Sequence, residues 1–303
     1  MTEQIQDNAY TATIGFFDGV HVGHQYLLHQ LRTCANQRKQ KSLVVSFDQH
    51  PRKVLNADFR PQLLTDNTEK EILLSNQQID KIAFLRFTPA MSQLTAAEFM
   101  RDILIGQLNV KTLLLGYDHC FGSDKLHDFS DYERIAKSLG MEVVLQEQFI
   151  ASGQHVSSSH IRKLIADSQI EMANELLGHE YTLSGKVVKG FQVGRKIGFP
   201  TANIQPSYPY KIIPPTGVYA VRVEIVDNTY CGMLNIGVRP TIHAHVAQSI
   251  EVNIFDFDRK IYDEHITVRF VKKMREEQKF ASIDDLKQQL IIDRDEVRKL
   301  FFV

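Results

Sequence analysis

Hydrophobic periodicity changes character once along this chain, near residue 180, and that change limits the architectures open to it. Before it, strand-like stretches alternate with stretches of helical spacing. Thr11 to Phe16 read as a strand, and Leu27, Leu28, Leu31, Cys34 and Ala35 then follow one helix face. Ser42 to Phe47, Lys81 to Phe87, Lys111 to Gly116 and Met141 to Leu145 read as further strands. Thr95 and Glu98 make a capping box for a helix running through Leu104, and another helix ends near Gly140. Such alternation predicts an α/β unit with a doubly wound parallel sheet, whose ligands bind at the carboxyl ends of the strands. After the change, Gly185 to Val188, Val218 to Ile225, Tyr230 to Ile236, Ile250 to Phe257 and Ile266 to Phe270 are strands with short connections. That run predicts a small antiparallel β-barrel. Its last element is a helix capped by Ser282 and Asp285, with Leu286, Leu290, Val297 and Leu300 expected to face inward. The expected domains are 1–180 and 181–303, with the junction in or just after Glu171 to Tyr181.

A length of 303 residues is more than one hydrophobic core usually serves, in keeping with two domains. The formal net charge of -1 gives no field for a polyanion, so no nucleic-acid partner is expected. Small phosphorylated ligands remain open, because loop amides and helix N-termini hold phosphate without a basic surface. Cys34, Cys120 and Cys231 are widely spaced and form neither a disulfide framework nor a zinc pattern, which points to a reducing compartment. The first residues, MTEQIQDNAY, lack the basic and apolar regions of a signal peptide. No apolar run approaches the ~20 residues of a membrane span. A soluble, cytoplasmic protein is expected, with no membrane association and no obligate protein partner evident.

Strand one runs through Gly15, Phe17 and Asp18 into His21-Val-Gly23-His24, and a helix follows at once. Gly23 lets backbone approach a phosphate, the helix N-terminus offers unpaired amides, and the two imidazoles can donate to charge developing on an attacked α-phosphate. A histidine pair in a loop is more often plain surface polarity; its place at the first strand-to-helix turn favours the functional reading. Downstream, Val156-Ser-Ser-Ser-His-Ile-Arg162 opens a helix. Ser157, Ser158 and Ser159 can cap it while offering hydroxyls to triphosphate oxygens, and Arg162 can neutralise leaving pyrophosphate. The plain alternative is a serine N-cap. Together the two motifs form the pair used by α-phosphate nucleotidyltransferases.

The barrel half opens with Gly185, Gly190, Gly194 and Gly198 around Arg195 and Lys196, then Phe199-Pro-Thr201-Ala-Asn203. The G-K-[ST] ending of a P-loop is missing, yet the loop can fold over phosphates. Thr201 and Asn203 share a strand face and can present oxygens to Mg²⁺. A glycine-rich hairpin would explain the glycines but not Thr201 and Asn203. Glu251 lies in an apolar strand with Asn253 and Phe255 on its face. A carboxylate inside a small barrel is costly without a task, and deprotonating an alcohol for phosphoryl transfer is one. An edge-strand surface glutamate is the bland alternative.

In these motifs the chain resembles the bacterial bifunctional riboflavin kinase/FAD synthetase family. The N-terminal segments are Phe17-Asp-Gly-Val-His-Val-Gly-His24, Ser46-Phe-Asp-Gln-His-Pro51, Leu115-Gly-Tyr-Asp118 with Phe121-Gly122, and Ser157-Ser-Ser-His-Ile-Arg162. The C-terminal ones are the Gly190 to Asn203 run, Asn235-Ile-Gly-Val-Arg-Pro-Thr241, Glu251 and Arg275 to Phe280. The resemblance implies an FMN adenylyltransferase domain in 1–180 and a riboflavin kinase domain in 181–303. It implies ATP, riboflavin and FMN as substrates and Mg²⁺ as cofactor. By it, Gly15, Phe17, His21, Gly23, His24, Ser157, Ser158, Ser159 and Arg162 serve ATP in the first reaction centre, with Asp118 and Phe121 on the flavin side. Gly190, Gly194, Lys196, Thr201 and Asn203 would bind Mg²⁺-ATP in the second, Glu251 would be the base, and Arg275 would lie near the flavin. The chain departs from the family at Cys120 and Lys125, where arginines are usual.

Two other readings compete. An aminoacyl-tRNA synthetase-like adenylation enzyme shares H-x-G-H but needs an anticodon surface and a lysine-rich loop that this chain lacks. A flavin carrier or sensor would leave Glu251 beside Thr201-Ala-Asn203 without a reason.

Overall fold

A computed structural model describes residues 9–117, 120–124, 128–147, 149–151, 154–190, 193–239 and 247–301. The chain divides into two compact units, Met1–Pro61 with Thr65–Ser157, and Gln62–Leu64 with Ser158–Val303.

The first unit runs β1 Tyr10–Ile14, α1 Val22–Gln37, β2 Lys41–Phe47, α2 Pro51–Leu55, α3 Asn67–Ser75, β3 Lys81–Leu85, α4 Ala96–Glu98, β4 Val110–Leu115, α5 Phe129–Ser138 and β5 Glu142–Leu145. A hairpin of β6 Ile150–Ala151 and β7 Gln154–His155 follows. The sheet is parallel in the order β3-β2-β1-β4-β5, so winding reverses at β1 and β4 and leaves a crevice at their carboxyl ends. Both faces are apolar because both are covered. Ala12, Leu43, Val45, Leu113 and Leu115 pack on one side, and Val44 and Leu114 meet Leu28 and Leu31 of α1 on the other. The Thr95–Glu98 capping box forms as expected, with Thr95 Oγ1 accepting from Glu98 N at 3.2 Å. Residues Phe99–Ile105 wind as a π-helix instead of continuing the α-helix. Gly106 N bonds Arg101 O at 3.0 Å, five residues back, and the wider turn lets Phe99, Ile103 and Leu104 share one buried face.

The second unit runs α6 Ser158–Ala166, α7 Ile170–Leu177, β8 Tyr181–Val188, α8 Val193–Lys196, β9 Ala202–Pro206, β10 Gly217–Ile225, β11 Asn228–Arg239, β12 Ala247–Ile254, β13 His265–Arg275 and α9 Ile283–Phe301. Its strands close an antiparallel barrel, β10-β11-β12-β9-β8-β13. Periodicity located these strands but cut several short. β8 begins at Tyr181 because Asn174 of α7 accepts from Tyr181 N at 2.8 Å and donates to Phe270 O at 2.9 Å. These contacts tie α7 to the barrel, and α6 falls in the same unit. Leu63 joins this unit in a parallel bridge to Lys211, with Leu63 N on Tyr210 O at 2.7 Å and Lys211 Nζ on Leu64 O at 2.7 Å. α9 is capped at Ser282, whose Oγ accepts from Asp285 N at 3.1 Å. Val297 faces inward against Phe199, Val218 and Phe255, whereas Leu300 is exposed, contrary to the helical-face expectation. The helix face that reaches the barrel instead includes Asp293, 1 % exposed.

Candidate active sites

The turn between β1 and α1 is a strained stretch held from outside. Phe17, Gly19 and Val20 have φ of 54°, 81° and 39°, and a β-branched residue there costs energy that neighbours must offset. The buried Asp18 carboxylate accepts from Thr65 N at 3.0 Å and Thr65 Oγ1 at 3.2 Å, and Gly19 N donates to the same hydroxyl at 3.1 Å. Val20 O accepts from Gln25 Nε2 at 2.9 Å. The motif therefore spends Phe17 to Val20 on shaping the turn and leaves its histidines at the head of α1.

His21 is the N-cap of α1, its Nδ1 accepting from His24 N at 3.3 Å. Because Nδ1 accepts, a neutral His21 ring carries its hydrogen on Nε2, the nitrogen that can donate. The His24 ring stacks on His21 with centroids 3.6 Å apart and meets Phe17 edge-on at 5.1 Å. Its Nδ1 is buried with no hydrogen-bond partner among the described residues. Burial, and secondarily the neighbouring His21, hold the His24 pKa well below the usual imidazole range. His24 is thus neutral at pH 7, and a bound polyphosphate would draw its proton affinity upward. Gly23 is small for a reason: a Cβ there would lie 3.2 Å from the His21 ring. A Cβ at Gly15 would crowd the Phe17 ring at 2.9 Å.

The second N-terminal segment braces the first. Ser46 Oγ donates to Phe16 O at 3.3 Å, and the His50 ring sits 4.9 Å from Phe16 while Nδ1 caps α2. At the end of β4, Asp118 and Lys125 lie outside the described residues. Cys120 is exposed. Phe121 turns its ring between Phe99 and Tyr132 and exchanges backbone bonds of 2.9 Å with the Tyr132 hydroxyl, so it anchors the loop to the core. In the serine segment, Ser158 begins α6, and Arg162 Nη1 reaches Ser159 Oγ at 3.3 Å. Ser157 is exposed just before it.

The barrel holds two cavities that meet at Thr201. One, of about 310 Å³, has an apolar floor of Val187, Val252 and Ile254 and a basic mouth with Arg195, Arg259 and Lys260. The other, of about 320 Å³, is lined by Met233, Phe280, Leu286 and Leu290 with Asn235, Glu251, Asn253 and Arg275 among its polar groups. Thr201 Oγ1 donates to Glu251 Oε2 at 3.2 Å, at this junction. Asn253 Nδ2 donates to Pro200 O at 2.7 Å and pins the Thr201 segment to β12. Asn203 lies across from Glu251 in the β9–β12 register and is buried. Its amide packs so closely on Gly190 that a Cβ there would come within 2.5 Å of Cγ and 2.7 Å of Oδ1. Gly194 is equally constrained, since a Cβ would overlap the Phe199 carbonyl oxygen. Of the loop's cations, Arg195 lines the first cavity and Lys196 is exposed beside it.

Arg275 enters the second cavity from the end of β13. Asp293 of α9 fixes it in a fork, Nε to Oδ1 at 2.9 Å and Nη2 to Oδ2 at 2.7 Å, and Gln289 adds 2.9 Å to Oδ1. Sequence reasoning missed Asp293 and also Asn253's role as a strap; an aspartate inside an otherwise apolar helix face was the available signal. The oxygen donors at Thr201, Asn203 and Glu251 suit a hard divalent cation sharing its remaining positions with phosphate and water. Among the described residues no cluster of three or more His, Cys, Asp or Glu could hold a metal unaided.

A family profile described as FAD synthetase matches residues 3–160, and one described as riboflavin kinase matches 177–301. A bifunctional riboflavin kinase/FMN adenylyltransferase of Escherichia coli K12 is 37% identical over 290 residues, covering 95% of this chain and 92% of the relative. The protein of that description from Listeria monocytogenes is 35% identical over 302 residues, covering 99% and 95%. A solved structure described as a macrolide-efflux protein from Streptococcus pneumoniae superposes with a TM-score of 0.86 at 32% identity, covering 96% and 94%. Among the described residues of this chain no helix is long and apolar enough to cross a membrane.

Proposed function

The chain belongs to the bifunctional riboflavin kinase/FMN adenylyltransferase family and carries both of its activities, and from that premise we propose which residues perform each reaction. The barrel phosphorylates riboflavin, and the β1–α1 turn serves adenylyl transfer to FMN. The observation that carries the assignment is Thr201, bonded to Glu251 where a basic-mouthed cavity meets an apolar one. ATP lies in the first cavity and the flavin ring in the second, so the two substrates face each other across Thr201.

In the kinase reaction Glu251 accepts the proton of the terminal ribityl hydroxyl as its oxygen attacks the γ-phosphorus and the bond to ADP breaks. Arg275, locked by Asp293, orients the flavin, while Thr201 and Asn203 would hold Mg²⁺, which supplies charge neutralisation at the phosphates. In the second reaction a phosphate oxygen of FMN attacks the α-phosphorus of ATP and pyrophosphate leaves. His21 donates from Nε2 to the developing charge, and His24 stacks beside it. Gly15, Phe17 and Gly23 shape the turn, and Ser157, Ser158, Ser159 and Arg162 engage phosphate oxygens. Asp118 and Phe121 belong to the flavin side. We place the enzyme in the cytoplasm, in keeping with free Cys34, Cys120 and Cys231.

The test separates the two reactions by chromatography of riboflavin, FMN and FAD over time. Glu251→Gln should slow phosphorylation by ~10²–10⁴-fold and leave FMN adenylylation intact. His24→Ala should stop FAD formation and let FMN accumulate. If either variant lost both activities together, or neither, the assignment would fail.

A further inference from the structure

Lys70 of α3 is only 1 % exposed, an unusual place for a lysine. Its Nζ donates to Phe47 O at 2.9 Å, the last residue of β2, and sits over the Phe16 ring, 4.2 Å from the centroid. The Phe84 ring of β3 lies 5.3 Å away on another side. Two carboxylates act on it, Asp18 in the β1–α1 turn and Asp48 just beyond β2. Asp48 is itself held by Phe87 N at 3.2 Å, and Asp18 by Thr65. The ammonium thus links the β1–α1 turn, through Phe16 and Asp18, to the end of β2 at Phe47 and Asp48 and to Phe84 of β3.

We propose that Lys70 is a positioning residue for adenylyl transfer: its buried ammonium fastens the carboxyl end of β2 to the β1–α1 turn and so holds His21 and His24 in register with the substrate. The proposal rests on the reading that this turn is the adenylyl-transfer site. An apolar side chain could fill the same volume, but it could neither bond the Phe47 carbonyl nor answer Asp18 and Asp48. The function of Lys70 on this account depends on its charge.

That dependence gives the experiment. Burial lowers the Lys70 pKa from 10.5 to about 8, against the upward pull of Asp18 and then Asp48. The ammonium is therefore present at neutrality and lost as pH rises past about 8. His24, whose pKa is held low, does not titrate on that limb. Steady-state kcat and KM for FMN adenylylation should be measured from about pH 6.5 to 9.5, with riboflavin phosphorylation on the same preparations as internal reference. The wild type should lose adenylylation with an alkaline midpoint near 8. Lys70→Arg should move that midpoint upward. Asp48→Asn should move it downward, since it removes a charge favouring the ammonium while keeping an oxygen for Phe87 N. Lys70→Met should show no alkaline limb and a kcat lower by roughly 10- to 100-fold, as displacement of reacting groups by about an ångström predicts. A midpoint that neither Lys70→Arg nor Asp48→Asn moves would overturn the proposal, as would a Lys70→Met enzyme with wild-type kcat. Asp48→Asn decides the question even where a Lys70 variant does not fold. A His24→Ala enzyme that still made FAD would refute the location of the site instead.

Discussion

Replacing Gly190 with alanine adds one carbon at a tight spot in the proposed kinase centre. The φ of Gly190 lies outside the left-handed region, so the backbone tolerates a side chain and the effect is purely steric. The new Cβ would stand 2.5 Å from Cγ and 2.7 Å from Oδ1 of Asn203, where carbon contacts settle at about 3.5–4.0 Å. Asn203 is buried and paired in register with Glu251, so it has little room to yield. Either its amide or the Gly190 loop must move by about 1 Å, and a shift of that size at a reacting centre costs on the order of 10²-fold in rate, or about 2.7 kcal/mol of barrier. The expected result is riboflavin phosphorylation lowered about 100-fold in kcat/KM, with FMN adenylylation and the melting midpoint of the first unit unchanged. Adding Asn203→Ala should relieve the overlap and restore stability without restoring phosphorylation. A Gly190→Ala enzyme with wild-type kcat/KM for ATP and riboflavin would refute the placement of Asn203 at the phosphates.

Asp293→Ala strands a guanidinium that is mostly buried, so calorimetry should register a loss of roughly 3–5 kcal/mol, and KM for riboflavin should rise as Arg275 loosens. A fragment beginning at Ser158 should fold and phosphorylate riboflavin. One beginning at Tyr181 should be less stable by about 2 kcal/mol or more for the two lost Asn174 bonds, as urea titration would record. Alkaline loss of adenylylation should not accompany unfolding. Native Lys70 sheds its proton near 8 while the unfolded chain keeps it to about 10.5, so the contribution of this group to stability rises between those values.

The alternation of strands and helices, and its cessation near residue 180, were legible because covered sheets and closed barrels impose apolar runs of fixed length. Candidates for the chemistry stood out where an unusual residue occupies a fixed place, as with His21 and His24 at a helix head or Glu251 in an apolar strand. What could not be read depended on contacts distant in sequence. Lys70 follows Glu69 in a helix of mixed charge and reads as solvated, because Phe16 and Phe47 meet it only in the fold. Asp293 reads as a flaw in α9 until Arg275 arrives from β13. The π-helix after Glu98 is set by burial of Phe99, Ile103 and Leu104 together, which an α-helical template treats as two faces. The strap from Asn253 runs from its side-chain amide to the Pro200 carbonyl, and a backbone acceptor leaves no trace in residue type.

The bridge between Leu63 and Lys211 has a consequence for synthesis. Leu63 and Leu64 leave the ribosome early, yet the segment around Lys211 that receives them, between β9 and β10, is made only after β5 has completed the parallel sheet. At ordinary elongation rates the wait is on the order of ten seconds. Throughout it, two leucines that end at 3 % and 1 % exposure stand uncovered on a nascent chain whose first sheet can already close. Translation speed through residues 65–211 therefore sets how long a sticky segment is offered to chaperones or to other chains, and synonymous codons alone could change the yield of folded enzyme.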